Sequence, residues 1–303
     1  MRALERVREW PVDAAAVGVL AFRPVLSAPS GQVAVVGTAG LPSRRFPWAS
    51  VTKPVTALAV LVAVEEGTLS LEAPAGPPGS TVAHLLAHAS GLGPGPGPPM
   101  TGPGRRRIYS NAGYDLLADR LAERAGLPFE RYVEEGVLAP LGMSGCRFGP
   151  GADRGGGVGP DGAGPAAAGL SGTLDDLLAL ACEWSAPTLV SPETHARAVE
   201  VAFPGLAGVV PGLGRFDPCD WALGVELRGS KRPHWSGETT SAATVGHFGR
   251  SGSFFWVDPV AGVACAGLSD RPFGPWALDA WPRLGDAVLA EVAGGAAGDG
   301  QHV

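Results

Sequence analysis

Ser50 and Lys53 place a hydroxyl and an amine three residues apart in the stretch Ser-Val-Thr-Lys. On a helix this spacing brings both side chains to one face, within hydrogen-bonding reach of each other. A neutral lysine there can take the proton of the serine and make it a nucleophile. The apolar residues 57–64 favour the neutral amine, because burial lowers the pKa of a lysine. The alternative is an exposed lysine near a helix N-terminus that Ser50 caps.

Lysine is rare in this chain, which contains only Lys53 and Lys231, and nearly all other positive charge is arginine. A guanidinium keeps its proton at any ordinary pH, so an arginine cannot replace a lysine as a base. The position of Lys53 after Ser50 therefore favours a chemical role.

Tyr109 and Asn111 form a second candidate pair, a phenol and a carboxamide two residues apart just before a predicted helix. Asn111 is the only asparagine of the chain. A phenol can take part in proton transfer, and a carboxamide can donate and accept hydrogen bonds. The alternative for Asn111 is a helix N-cap, and one residue can serve both purposes.

A third candidate element is Gly246-His247-Phe248-Gly249, followed by Arg250, in a strand-rich part of the chain. Its glycines let a substrate lie close to the backbone. The NH groups of such a strand at a sheet edge can hold the negative oxygen that develops on a reacting acyl group. We predict that His247, Phe248, Gly249 and Arg250 line a binding site.

The composition excludes several other function classes. A net charge of −6 and scattered arginines give no basic surface for nucleic acid. The four cysteines show no CxxC spacing, so we expect isolated reduced thiols and neither a zinc site nor a redox pair. The stretch His-Leu-Leu-Ala-His at 84–88 lacks the glutamate of a zinc hydrolase, and no GxSxG element is present. We therefore expect no metal and no cofactor.

No targeting or membrane segment is predicted. The first residues alternate charged and apolar side chains, without the basic, apolar and small-residue order of a secretory signal. The longest apolar run, residues 57–64, is much shorter than the roughly 20 residues that cross a bilayer. We expect a soluble, cytoplasmic protein without a membrane partner.

The hydrophobic pattern predicts one globular unit over residues 1–303, with strands near both ends in one sheet and a mainly helical middle. Residues 151–168 contain mostly Gly, Ala, Pro and Asp and predict a surface loop. The predicted helices span residues 1–9, 50–66, 84–88, 112–125, 129–137, 173–184 and 276–293. The predicted strands span residues 15–22 and 32–37, joined by a turn at 27–31, and residues 221–228, 243–248, 253–257 and 262–268.

In this order, the SxxK, YxN and HxG elements resemble those of class C β-lactamases, D-alanyl-D-alanine peptidases and the related β-lactamase-fold esterases and acyltransferases. The resemblance covers nearly the whole chain. It includes the connecting stretches Leu-Leu-Ala-His-Ala-Ser-Gly-Leu at 85–92, Pro-Leu-Gly-Met at 140–143 and Trp-Ala-Leu-Gly-Val at 221–225.

The resemblance implies an α/β (α+β) fold of the β-lactamase/transpeptidase type, an antiparallel sheet flanked by helices with a mainly helical insertion domain. The sheet lobe would comprise about residues 1–67 and 187–303, and the helical lobe about residues 68–186. The cleft between the two lobes would hold the site.

The resemblance also implies a role for each matching residue. Ser50 attacks the substrate, and Lys53 and Tyr109 handle its proton. Asn111 orients the substrate on one side of the cleft. The backbone NH groups of Ser50 and Arg250 form the oxyanion hole.

The third element departs from the family pattern, because His247-Phe248-Gly249 stands where typical β-lactamases have Lys-Thr-Gly. The resemblance places His247 on the wall opposite Asn111, but a histidine is largely neutral at pH 7. A permanent cation and a hydroxyl for a substrate carboxylate are both missing, unless the Arg250 side chain turns inward. We expect a serine hydrolase that acts through an acyl-enzyme on a small-molecule ester or amide.

Four alternatives stay open. They are β-lactamase activity on a lactam, D-alanyl-D-alanine peptidase activity, acyl transfer in biosynthesis, and a catalytically silent binding domain. The complete SxxK and YxN elements argue against the silent domain, which has no need of the lysine. The sequence does not separate water from another acyl acceptor, and it leaves the oligomeric state open.

Overall fold

The computed structural model describes residues 1–22, 33–149 and 163–298. The strands, numbered along the chain, are β1 (Ala15–Phe22), β2 (Val33–Gly40), β3 (Phe46–Pro47), β4 (Arg107–Ile108), β5 (Arg147–Phe148), β6 (Leu170–Gly172), β7 (Gly208–Val210), β8 (Gly214–Phe216), β9 (Glu226–Leu227), β10 (Val245–Gly249), β11 (Ser253–Asp258) and β12 (Val263–Ser269). The α-helices are α1 (Thr52–Glu65), α2 (Val82–Leu86), α3 (Asn111–Ala125), α4 (Phe129–Val133), α5 (Pro165–Ala168), α6 (Leu174–Ser185), α7 (Pro192–Val199) and α8 (Pro275–Gly298).

Six strands form the main sheet, in the order β2-β1-β12-β11-β10-β9, with every neighbouring pair antiparallel. The prediction that strands from both ends of the chain share one sheet is confirmed. The predicted hairpin of β1 and β2 is also present, and its predicted turn at 27–31 lies outside the described residues.

The central strands of this sheet are continuous apolar runs because both of their faces are covered. Every residue of β11 and β12 is buried. One face packs on α6, and the other packs on α8 and the 3-10 helix Arg2–Glu9. Strands covered on both faces do not alternate between apolar and polar residues, since neither face meets water.

Helix α1 lies in the centre of the protein, with eleven of its fourteen residues buried. The predicted all-round apolar helix is therefore confirmed, and it begins at Thr52 after a 3-10 turn over Ala49–Val51. Pro54 is the third residue of α1, where the missing NH leaves no helical hydrogen bond unmade.

Three predicted elements need correction. The helix expected at 84–88 begins earlier, at Val82, because the side chain of Thr81 caps it. The helix expected at 129–137 is α4 followed by a π-helical turn over Glu134–Leu138. The strand expected at 221–228 is limited to β9, because the chain turns through Gly224 at a φ of 104° and packs there against α1.

The surface loop predicted over 151–168 is wrong for its last residues. Residues 151–162 lie outside the described residues, but Pro165–Ala168 form α5, and Ala166 and Ala167 are fully buried. Small alanine side chains let this short helix approach α1 closely, so a composition typical of loops forms part of the core here.

Within the described residues, no helix is both long and apolar enough to cross a membrane. The four cysteines are free thiols, of which Cys146, Cys219 and Cys265 are buried and Cys182 is half-buried.

Candidate active site

Ser50 lies in the 3-10 turn that leads into α1, half-buried on the wall of a cavity of about 950 Å³. The preceding residue, Ala49, has a φ of 45°, a left-handed conformation that residues other than glycine rarely adopt. Such backbone strain persists only where the surroundings hold it. Here the buried Trp48 donates its NH to the Leu170 carbonyl at 2.9 Å and fixes the start of the turn.

The amine of Lys53 is fully buried and lies 3.3 Å from Ser50 Oγ. It is also 2.7 Å from Asn111 Oδ1 and 2.9 Å from the Ala167 carbonyl oxygen. A neutral amine has two hydrogens and one lone pair. If the two hydrogens are donated to these two acceptors, the lone pair is left facing Ser50 Oγ.

Burial lowers the pKa of Lys53 from 10.5 to about 7. Asp115, one turn after Asn111 on α3, acts in the opposite direction and raises it. No carboxylate of the described residues forms an ion pair with the Lys53 amine. The neutral form is therefore well populated near pH 7.

Helix α5 supplies two carbonyl groups to the start of α1. The Ala167 carbonyl accepts from Lys53, and the Ala166 carbonyl accepts from Thr56 Oγ1 at 2.7 Å. The last carbonyls of a helix have no partner within that helix, so side chains of α1 satisfy them here. Sequence reasoning missed this support. The signal that could have found it is Pro165, a proline at the first position of a helix.

The Tyr109-Ser110-Asn111 stretch begins α3 beside Lys53. The N-cap of α3 is Ser110, whose Oγ accepts from the Gly113 NH at 2.9 Å. The capping alternative for Asn111 is therefore wrong, and its carboxamide oxygen faces the Lys53 amine instead.

Tyr109 lies over the same amine, with Lys53 Nζ 4.8 Å from the ring centroid, and its hydroxyl hydrogen-bonds with Ser50. Burial raises the pKa of Tyr109 well above its usual value, and the bond to Ser50 offsets this only in part. The phenol therefore keeps its proton near pH 7. The rings of His88 and Trp221 pack against it, at centroid distances of 4.4 and 5.9 Å.

His247 lies on β10, on the other side of Tyr109, with 5.9 Å between the two ring centroids. Its Nδ1 is 2.8 Å from the Phe248 carbonyl oxygen, which can only accept, so Nδ1 carries the proton. Burial, with a smaller effect of Lys53, lowers the pKa of His247 to about 3. The imidazole is therefore neutral at physiological pH, as its residue type predicted.

Gly249 brings β10 against the 3-10 turn that contains Ser50. A Cβ at this position would lie 2.3 Å from the Trp48 carbonyl oxygen and 2.4 Å from Ser253 Oγ, so only glycine fits. Ser253 Oγ donates to the same carbonyl at 2.7 Å and locks the contact. Arg250 follows, is exposed and lines the cavity.

The structure thus brings together all the residues that the sequence analysis selected. One cavity is lined by Ser50, Tyr109, Asn111, His247, Phe248 and Arg250, with Lys53 beneath Ser50 and Gly249 against the turn that contains Ser50.

A buried ion pair behind the cavity escaped the sequence analysis. Glu226 on β9 lines the cavity, and its Oε1 lies 3.3 Å from Lys231 Nζ and 3.5 Å from His234 Nε2. Its Oε2 accepts from Trp235 Nε1 at 2.7 Å. No spacing rule marks these residues, because the turn after β9 brings them together.

The two histidines at 84 and 88 do not form a metal site. His84 stacks on Phe203 and takes part in the cap of α2, while His88 Nδ1 accepts from the Ser110 NH at 3.1 Å. Across the described part of the chain, no cluster of three or more His, Cys, Asp or Glu residues could hold a metal ion.

Comparison with known proteins gives concordant matches. The sequence profile of the beta-lactamase family matches residues 31–290. A beta-lactamase from Mycobacterium bovis is 47% identical, with a TM-score of 0.86 over 96% of this chain and 99% of that chain.

Two curated relatives match over shorter stretches. The D-alanyl-D-alanine-carboxypeptidase/endopeptidase AmpH of Escherichia coli (strain K12) is 42% identical over 17% of this chain and 14% of the relative. Esterase EstB of Burkholderia gladioli is 32% identical over 36% of this chain and 41% of the relative. Both matches thus span less than half the length of the curated relative.

Proposed function

Because the chain belongs to the beta-lactamase family, which is made up of serine hydrolases, we propose that it cleaves an ester or amide through an acyl-enzyme on Ser50. The observation that carries this proposal is the environment of Lys53. Its buried amine has acceptors for both hydrogens of the neutral form, and its lone pair then faces Ser50 Oγ at 3.3 Å. This arrangement suits a base that removes the serine proton.

In the first step Lys53 takes the hydroxyl proton while Ser50 Oγ bonds to the substrate carbonyl carbon. The tetrahedral intermediate then expels its alcohol or amine, which receives a proton from the Tyr109 phenol. Tyr109 regains a proton from the Lys53 ammonium. In the second step a water molecule attacks the ester on Ser50 while Lys53 takes a proton from the water. Ser50 Oγ then leaves with a proton from Tyr109, and Tyr109 regains a proton from Lys53. The carboxylic acid is released, and the Ser50 hydroxyl and the neutral Lys53 amine are restored.

The negative oxygen of the intermediate needs donors that are in place before the reaction. The backbone NH groups of Ser50 and Arg250 are our candidates. Two observations support them: Gly249 packs directly on Trp48, and Ser253 ties the two segments together. These contacts hold the end of β10 next to the turn that contains Ser50.

The neutral His247 favours a substrate without a carboxylate next to the reacting carbonyl. Typical β-lactamases have a lysine at this position, whereas His247 has a pKa of about 3 and donates its Nδ1 proton to Phe248. We therefore place a neutral ester or amide ahead of a β-lactam. Asn111 orients that substrate beside Lys53, and Phe248 and Arg250 line the cavity that the substrate enters.

The test compares the protein with its Ser50→Ala variant, using p-nitrophenyl acetate and a chromogenic cephalosporin. We expect acetate turnover, a mass increase of one acetyl group on the intact parent protein, and neither in the variant. Cephalosporin turnover is expected to be slower by comparison. Full activity in Ser50→Ala, or an adduct on another residue, would contradict the proposal.

A His247→Lys variant tests the substrate preference. The added cation should raise the rate of cephalosporin turnover relative to acetate turnover. An unchanged ratio would mean that His247 does not determine the response to a carboxylate.

A further inference from the structure

The cavity in front of Ser50 has a predominantly apolar wall that the proposed chemistry does not use. Besides Phe248, the wall includes Met100, Ile108, Val209 and Phe273. Met100 and Val209 are 69% and 49% exposed, and they belong to the small group of large apolar side chains that stand in water. Apolar side chains gathered in a concave surface beside a nucleophile indicate a ligand that covers them.

Strand pairing holds one side of this wall. Strand β4 pairs with β7 in parallel, so that Ile108 stands beside Val209. The adjacent Gly208 packs so closely on Arg107 that a Cβ would lie 2.5 Å from the Arg107 carbonyl oxygen. The two apolar side chains therefore sit on a fixed backbone.

Arg107 anchors the same region from beneath. Its buried guanidinium donates to four backbone carbonyls, those of Ala87, Ala202, Phe203 and Cys219. It thereby joins separate segments of chain around β4. Because every acceptor is a backbone carbonyl, substitution of the Met100 or Val209 side chain leaves these bonds in place.

The other side of the wall is aromatic. The Phe248 ring lies 4.6 Å from that of Phe273 and 5.4 Å from that of Trp235. The β7–β8 turn closes on this cluster, since a Cβ on Gly212 would lie 2.6 Å from the Phe273 ring. Met100 completes the rim, and its backbone NH bonds to the Gly91 carbonyl at 2.8 Å.

We infer that this wall binds an apolar group of about six or more carbons on the ester that acylates Ser50. The inference rests on the proposed function and names its substrate class. The apolar group can belong to the acyl part or to the alcohol part of the ester, and the experiment separates these two sources. A cavity of about 950 Å³ has room for such a chain beside the reacting carbonyl.

The experiment measures kcat/KM for p-nitrophenyl acetate, butyrate, hexanoate and octanoate, below the concentrations at which the long esters aggregate. A second series extends the alcohol of acetate esters from ethanol to octanol and follows acid release. Burial of each added methylene should raise kcat/KM by about two- to fourfold in one of the two series.

The test variant is a double variant that combines Met100→Ser and Val209→Ser, and the matched control is Val260→Ser. Val260 is 72% exposed in the turn between β11 and β12 and does not line the cavity. We expect the double variant to lower the ratio of octyl-chain to short-chain kcat/KM at least about fivefold. Its rate with ethyl acetate, which has no group of six carbons in either part, should stay within about twofold, which also shows that it folds, and Val260→Ser should change neither value.

The outcomes separate the inference from the proposed function. Acetate turnover through Ser50 without a chain-length dependence in either series would overturn the inference alone. A chain-length dependence that the double variant leaves intact would overturn it too. No acylation of Ser50 by any ester would overturn the proposed function and the inference together.

Discussion

The two lysines of the chain are both fully buried, but their charges are compensated in different ways. Lys53 has only neutral acceptors around its amine, those of Ser50, Asn111 and Ala167. Lys231 donates to the carbonyls of Asp220 and Leu227 and forms an ion pair with Glu226.

The ion pair with Lys231 lowers the pKa of the Glu226 carboxyl group. Burial by itself raises the pKa of Glu226. The effects of Lys231, His234 and Trp235, of which that of Lys231 is the largest, outweigh burial and lower this pKa to about 2. The Glu226 carboxylate is therefore ionised at neutral pH. Around Lys53, by contrast, no carboxylate of the described residues forms an ion pair with the amine, and burial lowers the pKa of Lys53 to about 7.

The largest effect that we expect from this comparison is a loss of activity when Lys53 is replaced. Lys53→Met should lower kcat/KM for p-nitrophenyl acetate by about 10²–10⁴-fold, the usual contribution of a positioned base. The same substitution at Lys231 should leave the folded protein far more active than this. Equal losses of activity in the two variants would contradict the distinction between the lysines.

The pH dependence of stability sharpens this prediction. Lys53 has a pKa of about 7 when folded and 10.5 when unfolded, so between these values the unfolded chain binds a proton that the folded chain lacks. The free energy of unfolding should therefore rise with pH from about 7 upward, by on the order of 5 kcal/mol in total. Urea denaturation at pH 7 and pH 9 should show about half of this increase in the parent protein, and less in Lys53→Met.

The next largest effect concerns the ion pair. Lys231→Met should lower the free energy of unfolding by about 3–5 kcal/mol, because it leaves the Glu226 carboxylate buried without its cation. Adding Glu226→Gln should recover part of this loss, since the remaining amide is neutral and can still accept from Trp235. Urea denaturation of the single and double variants measures both values. A double variant no more stable than Lys231→Met would refute the ion-pair explanation.

Local patterns in the sequence predicted much of the fold and the core of the site. The strand at 15–22 was predicted with the bounds that β1 has, because an apolar run between turn residues marks a buried strand. Ser50 and Lys53 share a helical face by spacing alone. Tyr109 and Asn111 were selected by their types and their place before α3.

The remaining features depend on contacts between distant segments, which no local pattern encodes. Helix α5 has the composition of a loop and becomes core only because α1 covers it. The pairing of Glu226 with Lys231 follows from the turn after β9. The tautomer of His247 depends on the direction of the Phe248 carbonyl, which only the folded strand sets.

Asp115 gives the smallest expected effect and the finest test of the proposal that Lys53 is the base. Because Lys53 must be neutral to accept a proton, kcat/KM should fall as the pH drops below about 7. His247, with a pKa of about 3, stays neutral through this range and adds nothing to the fall. Asp115 raises the pKa of Lys53, so Asp115→Asn should move the fall to lower pH, by less than about one unit.

The amide that replaces Asp115 can still accept from the Gly164 NH, which lies 3.2 Å from the carboxylate, so the change removes charge and keeps the contact. The measurement is the profile of kcat/KM for p-nitrophenyl acetate between pH 5 and 9 in the parent and the variant. A fall that stays in place, or moves to higher pH, would mean that a group other than Lys53 controls it. A shift to lower pH would instead support burial as the cause of the low pKa of Lys53, with the Asp115 carboxylate acting in the opposite direction.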